Sequence, residues 1–129
     1  AEYVMSEGNR QVKICERGIR YYQTQTRNTF DLSAVPVVRK LSHLPIIADP
    51  SHGTGVWEYV SPMAKAAVVA GAHGLMIEVH PRPSEAFSDG SQSLKPERFA
   101  QLMDEIRPLV ELMGKTLEPA SAATAAQGR

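Results

Sequence analysis

The chain has 129 residues, 14 Lys and Arg against 14 Asp and Glu, 43% hydrophobic residues and a single cysteine. That length holds one domain with a real core, and the zero formal net charge excludes a general electrostatic attraction to nucleic acid or to an anionic membrane. One cysteine cannot close an internal disulfide, no apolar run nears the ~18 residues of a membrane span, and the opening lacks the basic-then-apolar profile of a signal peptide, so a cytoplasmic protein is expected.

The first nine residues, AEYVMSEGN, read as the last turns of a helix whose beginning lies outside the chain, and a start on Ala1 leads us to expect an excised or processed piece. Residues 12–18 form the first branched apolar run and end in Glu16, Arg17 and Gly18. A helix is predicted over 31–41, with Asp31 as N-cap, Leu32, Val35, Val38 and Leu41 on its apolar side, and Pro36 tolerated in the first turn. The second run, 45–53, carries Asp49, Ser51 and His52 towards its end. A second helix takes Ser61 as N-cap and Pro62 as its first residue, and Gly71 closes it. Residues 74–81 are the third run and contain Glu78 and His80. The last helix opens at Pro96, places Phe99, Leu102, Met103, Ile106, Leu109, Val110 and Met113 on one face, and stops at Gly114; Pro108 is predicted to kink or divide it. Residues 118–129 hold five Ala and no apolar periodicity, so a domain over 1–117 followed by a disordered tail is expected.

Near-continuous apolar runs bounded by Gly or Pro are the signature of buried parallel strands. Their starts lie about 30 residues apart, the size of a βαβ unit. The chain is therefore α/β, and repeated βα units close either as an open doubly wound sheet or as a (β/α)8 barrel. Both put the active site at the carboxyl ends of the strands.

At those ends stand Glu16 and Arg17, then Asp49, Ser51 and His52, then Glu78 and His80, with Asp89 in the loop beyond. One histidine and two carboxylates from neighbouring strand ends can form an N/O site for a divalent transition metal, although each is equally at home as a surface acid or a loop histidine. Arg17 can grip a phosphate or carboxylate with its bidentate fork, or simply pair with Glu16 or another acid at the strand ends. Cys15 reads as a buried apolar residue. The Gly-rich stretch 51–55 lacks the lysine of a P-loop and the spacing of a dinucleotide fingerprint. Ser51 beside His52 is no argument for a nucleophile pair. His80 before Pro81 shapes its loop, His43 and His73 read as helix-end or loop positions, and Trp57 and Glu58 pack or cap a helix.

Together these stretches resemble one family. Ile14-Cys15-Glu16-Arg17-Gly18-Ile19-Arg20, Thr26-Arg27-Asn28-Thr29, Asp31-Leu32-Ser33-Ala34-Val35-Pro36, Asp49-Pro50-Ser51-His52, Leu75-Met76-Ile77-Glu78-Val79-His80-Pro81 and the segment from Ser88-Asp89-Gly90 to Leu94 are similar to 3-deoxy-D-arabino-heptulosonate-7-phosphate (DAHP) synthase of the type I beta branch. The likeness covers roughly residues 1–114 and implies a (β/α)8 TIM barrel of which this chain supplies the C-terminal units, strands six to eight, incomplete on their own. It implies condensation of phosphoenolpyruvate with erythrose 4-phosphate, the first step of the shikimate route to aromatic amino acids, in a homo-oligomeric enzyme. By motif, His52, Glu78 and Asp89 correspond to three of four ligands of a divalent metal (Mn, Fe, Co or Zn). Arg17 corresponds to the arginine on the phosphoenolpyruvate phosphate, so His52 and Arg17 are the catalytic residues expected, and Asp49 lies beside the metal as a further substrate contact. The family's Gly-Pro-Cys-Ser strand with the fourth ligand, its Lys-Pro-Arg-Thr-Ser loop and its Lys-Arg-Gly strand are absent here, and Cys15 does not replace that cysteine. The implied partner of this chain is accordingly the missing N-terminal part of the barrel, and the chain alone is expected to be inactive. Two other readings stay open: a sister synthase that makes 3-deoxy-octulosonate 8-phosphate from arabinose 5-phosphate, and a non-catalytic piece that works by pairing with a partner.

Overall fold

A computed structural model describes residues 1–117, so the expected tail at 118–129 lies outside the described residues. Helix α1 (Glu2–Ser6) is a single exposed turn. Strand β1 (Ile14–Glu16) leads through a long loop to helix α2 (Ala34–Leu41), and strand β2 (Ile46–Ala48) follows. A five-residue helix α3 (Pro50–Thr54) and the longer α4 (Trp57–Ala70) precede strand β3 (Gly74–Leu75). Two short 3-10 turns, Pro83–Glu85 and Gly90–Gln92, lie before helix α5 (Pro96–Leu112).

The three strands form one parallel sheet in the order β1-β2-β3. Ile14 stands opposite Ile46, Cys15 opposite Ile47, and Glu16 opposite Ala48, while Ile47 and Ala48 face Gly74 and Leu75. Beyond β3 the chain still follows the sheet direction. Val79 bridges Leu94 in parallel, with Leu94 N donating to the Glu78 carbonyl at 2.9 Å and His80 N to the Leu94 carbonyl at 2.9 Å. That bridge folds the loop carrying Asp89 back onto Glu78.

The strands are shorter than the apolar runs, and the reason at β2 is local. Asp49 leaves the strand and caps a helix: its Oδ1 accepts from His52 N at 3.0 Å, and Pro50 occupies the first helical position, where a missing N–H costs nothing. Residues 51–53 are therefore helical rather than extended, and His52 is carried on a rigid turn. Helix α4 starts four residues before the predicted Ser61. Gly55, left-handed at φ 72, closes α3, and extended Val56 turns the chain straight into Trp57, so Pro62 falls inside the helix and Ser61 caps nothing. At α2 the Asp31 carboxylate accepts from Ser33 N at 2.9 Å and shapes the entry turn, with Pro36 third in the helix, where no intrahelical acceptor is available anyway. Helix α5 runs unbroken through Pro108, so of the predicted kink or division the division does not occur. The proline and Asp104, whose carbonyl loses its partner, are both exposed, whereas Leu102, Ile106 and Val110 hold the buried face on either side.

The core lies on one face of the sheet. Val35, Ile46, Ala48, Ala67 and Ala72 form one cluster, joined by Ile14 and Leu75; Val60, Ala64, Val68, Leu94, Leu102, Ile106 and Val110 form the other between α4 and α5. Neither cluster includes Cys15, Ile47 or Gly74, which share the opposite face. Cys15 is accordingly exposed, not buried as its apolar neighbours in sequence imply, because β1 is an edge strand and this residue points to the uncovered face. His73 is a structural residue, its Nδ1 accepting from Ile46 N at 3.1 Å. Leu102 is only 1% exposed at the centre of the second cluster. Leu102→Ala is expected to destabilise the folded protein by about 2–5 kcal/mol, read as a lower urea midpoint with an unchanged slope.

Candidate functional site

At the carboxyl end of β1, Glu16 serves the backbone. Its Oε1 accepts from Gly18 N at 2.9 Å and from Asp31 N at 3.2 Å, tying the strand end to the entry of α2. Gly18 has φ 79, and a Cβ there would lie 2.7 Å from Asn28 Cβ and 3.2 Å from Gly53 Cα. Only glycine lets β1 and α3 approach this closely. Arg17 turns away from Glu16 and pairs with the acid of the next strand, Nε lying 3.4 Å from Asp49 Oδ2, with its side chain 51% exposed.

Asp49 is 0% exposed and fully engaged. Besides capping α3 and meeting Arg17, it receives His52 Nδ1 at 2.9 Å on Oδ2 and 3.1 Å on Oδ1. A carboxylate only accepts, so this network puts an imidazole proton on Nδ1 and leaves Nε2 as the ring nitrogen facing the site. Nε2 points at Glu78 Oε2, 3.5 Å away, too far for a good hydrogen bond. Glu78 is held from two sides: Ser51 Oγ accepts from its N–H at 3.0 Å, and Gln92 Nε2 donates to Oε2 at 2.8 Å. Asp89 sits in the left-handed region at φ 55, a conformation that Asp tolerates better than most residues, and its Oδ1 accepts from Arg27 Nη1 at 2.8 Å.

His52, Glu78 and Asp89, all half-buried, each offer one ligand atom, and these atoms lie within 4.8 Å of one another. Two ligands on opposite sides of an ion bound at about 2.0–2.2 Å stand about 4.0–4.4 Å apart, so a single ion fits after a small contraction. The donor chemistry fits as well. A bare imidazole nitrogen fixed by a carboxylate on its other nitrogen is the usual state of a metal-ligating histidine, and one nitrogen with two oxygens suits borderline transition metals. Cys15 stays apart from the group. Partial desolvation of its sulfur, then the Asp49 charge, raises the thiol pKa above its ordinary value, which disfavours the thiolate a metal would need.

The structure thus brings together Arg17, Asp49 and His52 in one chain of contacts, and His52, Glu78 and Asp89 in another. Ser51 is buried and structural, and His80 shapes its loop by accepting from Arg82 N at 3.0 Å. Arg27, Asn28 and Gln92 lie in stretches that carry the family resemblance, but nothing in their spacing assigns them a role at the site. Asn28 Nδ2 donates to the His52 carbonyl at 3.0 Å, and Arg27 Nη1 also donates to Gln92 Oε1 at 3.0 Å. Contacts across 24 to 65 positions leave no signal in local spacing.

Fold and site define an α/β protein whose polar side chains converge at the carboxyl ends of parallel strands, where such folds bind their ligands. Known proteins narrow that class. The sequence pattern of the DAHP synthetase I family matches residues 1–112. The phospho-2-dehydro-3-deoxyheptonate aldolase of Thermotoga maritima is 51% identical over 114 residues, covering 88% of this chain and 34% of that protein. The 2-dehydro-3-deoxyphosphooctonate aldolase of Alkalilimnicola ehrlichii is 32% identical, covering 82% of this chain and 41% of that protein. A solved truncated form of the T. maritima 3-deoxy-D-arabino-heptulosonate 7-phosphate synthase superposes with a TM-score of 0.88 at 49% identity, over 91% of this chain and 45% of that one. The chain belongs to the DAHP synthetase I family. It spans about a third of the length of the Thermotoga enzyme. Among the described residues no helix is long and apolar enough to cross a membrane.

Proposed function

We propose that this chain is the C-terminal part, strands six to eight, of a (β/α)8 DAHP synthase barrel that condenses phosphoenolpyruvate with erythrose 4-phosphate to DAHP and phosphate. The observation that carries the proposal is the convergence of His52, Glu78 and Asp89 within 4.8 Å, beside the Arg17–Asp49 pair, at one end of a parallel sheet. Parallel sheets are covered on both faces or closed into barrels, so a core confined to one face supports a sheet completed by further strands. Identity of 51% with the heptonate enzyme against 32% with an octonate enzyme favours the four-carbon aldehyde over arabinose 5-phosphate.

In this reading carbon 3 of the enol phosphate attacks the aldehyde carbon, water adds at carbon 2, and phosphate leaves from the resulting hemiketal. Arg17, oriented by Asp49, binds the phosphoenolpyruvate phosphate through charge-assisted hydrogen bonds. His52, Glu78 and Asp89 would hold a divalent metal (Mn, Fe, Co or Zn). When bound, that metal supplies Lewis-acid polarisation of the aldehyde oxygen or orientation of water. Asp49 keeps the His52 proton on Nδ1 and so reserves Nε2 for the site; its second task is to aim Arg17. The cytoplasmic setting and homo-oligomeric state implied by the resemblance belong to the same proposal.

Arg17→Lys in the complete protein tests it. The charge remains and the fork is lost, so phosphoenolpyruvate binding is expected to weaken by roughly 1.5–3 kcal/mol at unchanged metal content. Unaltered kinetics would make Arg17 a purely structural partner of Asp49. Assays with both sugar phosphates run alongside, and a preference for the five-carbon sugar would reassign the substrate.

A further inference from the structure

We infer that Arg27 and Gln92 are positioning residues that set the two acids of the proposed metal site against His52; the inference rests on the metal-site reading above. Gln92 is 0% exposed, and both ends of its amide are committed. Its Oε1 accepts from Arg27 Nη1 at 3.0 Å, and a guanidinium can only donate, so the amide orientation is fixed and Nε2 must face Glu78 Oε2, 2.8 Å away. The same Arg27 Nη1 donates to Asp89 Oδ1 at 2.8 Å. One guanidinium nitrogen and one amide therefore span Glu78 and Asp89, which lie eleven positions apart on a loop with a left-handed residue at its turning point.

Arg27 is itself referenced to the third ligand. Its backbone N donates to the Thr54 carbonyl at 2.8 Å, and Asn28 N donates to the Gly53 carbonyl at 3.2 Å. Asn28 Nδ2 reaches the His52 carbonyl at 3.0 Å, so the segment 27–28 lies along the helix that carries His52. Gly55 makes room for it: a Cβ there would lie 2.4 Å from Arg27 Cβ. A single short segment thus fixes the distance from the histidine to both carboxylates. Two carboxylates gathered this closely repel each other before any cation arrives, and the Arg27 charge offsets that repulsion. Asp89 is anchored through Oδ1 on Arg27 and Glu78 through Oε2 on Gln92, the same Glu78 oxygen that lies 3.5 Å from His52 Nε2. The acids are thereby held in an open arrangement without collapsing onto the arginine.

The test is Co(II) affinity of the complete apo protein, measured by chelator competition, together with the visible absorption spectrum of the Co(II) form. Loss of an outer hydrogen-bond partner of a metal ligand weakens affinity by about 10–100-fold, and that loss with an altered spectrum is expected for Gln92→Leu and Arg27→Met. Arg27→Lys is expected to recover part of the affinity, because one nitrogen makes both contacts; a purely structural role would not give that order. Should Gln92→Leu fail to fold, the Arg27 pair decides, since its side chain is 52% exposed. Wild-type affinity and spectrum in Arg27→Met would overturn the inference while the site stands, provided His52→Ala loses the metal. Metal retained in His52→Ala as well would overturn the site itself.

Discussion

His52→Ala in the complete protein is expected to abolish both metal retention and turnover while the fold persists. The variant removes the one nitrogen donor of the proposed site, and no other residue among the three supplies a lone pair of that kind. The cost to the fold is limited because the backbone keeps most of the local structure. The N–H at position 52 still donates to Asp49 Oδ1, so α3 keeps its cap, and Asp49 keeps Arg17. What is lost is a charge-assisted contact to a buried carboxylate, about 1.5–3 kcal/mol. Elemental analysis, turnover and the melting temperature are measured together, with Glu78→Ala and Asp89→Ala beside it. A variant with full metal occupancy and normal turnover removes its residue from the site.

The βα order and the positions of the strand ends were legible because burial on a parallel sheet leaves long apolar runs, and because Gly71 and Pro96 mark helix boundaries by their backbone preferences alone. Boundaries failed where a side chain competed with the period. Asp49 turned an apparent strand into a helix by capping it, and Gly55 with Val56 let α4 begin at Trp57, which no apolar spacing announces. Cys15 failed for a different reason: apolar neighbours predict burial only when both faces of the sheet are covered within the chain. In the site, Arg17, Asp49, His52 and Glu78 were visible as ionisable groups at strand ends, and Asp89 in the loop beyond. Their partners were not. Gln92 is an unremarkable polar residue in sequence, and only the Val79–Leu94 bridge, 15 positions across, swings its loop over Glu78. The choice of Asp49 rather than Glu16 as the partner of Arg17 likewise depends on sheet register, since Glu16 pairs with Ala48 and the next residues along, Arg17 and Asp49, are thereby brought side by side.

The 129-residue chain on its own is expected to show no turnover, to bind divalent metal far more weakly than the complete protein, and to exchange amide hydrogens freely along its sheet margins. Among the described residues both margins carry unpaired backbone. Ile14 N donates to the Pro45 carbonyl and Asp49 N to the Glu16 carbonyl, so by alternation the polar groups of Cys15 point outward from β1. β3 has a free margin of its own, and unpaired edges of this kind seek another strand. The face bearing Cys15, Ile47 and Gly74 stays outside both apolar clusters, and Met76 beyond it is 43% exposed. Burying that face is worth roughly 25 cal/mol for each Å² removed from water, a contribution that the described residues do not supply. The metal set suffers from the same gap. The proposed metal set offers three ligands and Arg17 beside it is 51% exposed, and a site left loose by even 1 Å binds poorly. Size-exclusion chromatography, hydrogen exchange and Co(II) titration of the isolated chain against the complete protein measure each part. A compact monomer with protected amides at Cys15 and along β3, and with full metal affinity, would show that three strands suffice and that the chain does not depend on a barrel around it.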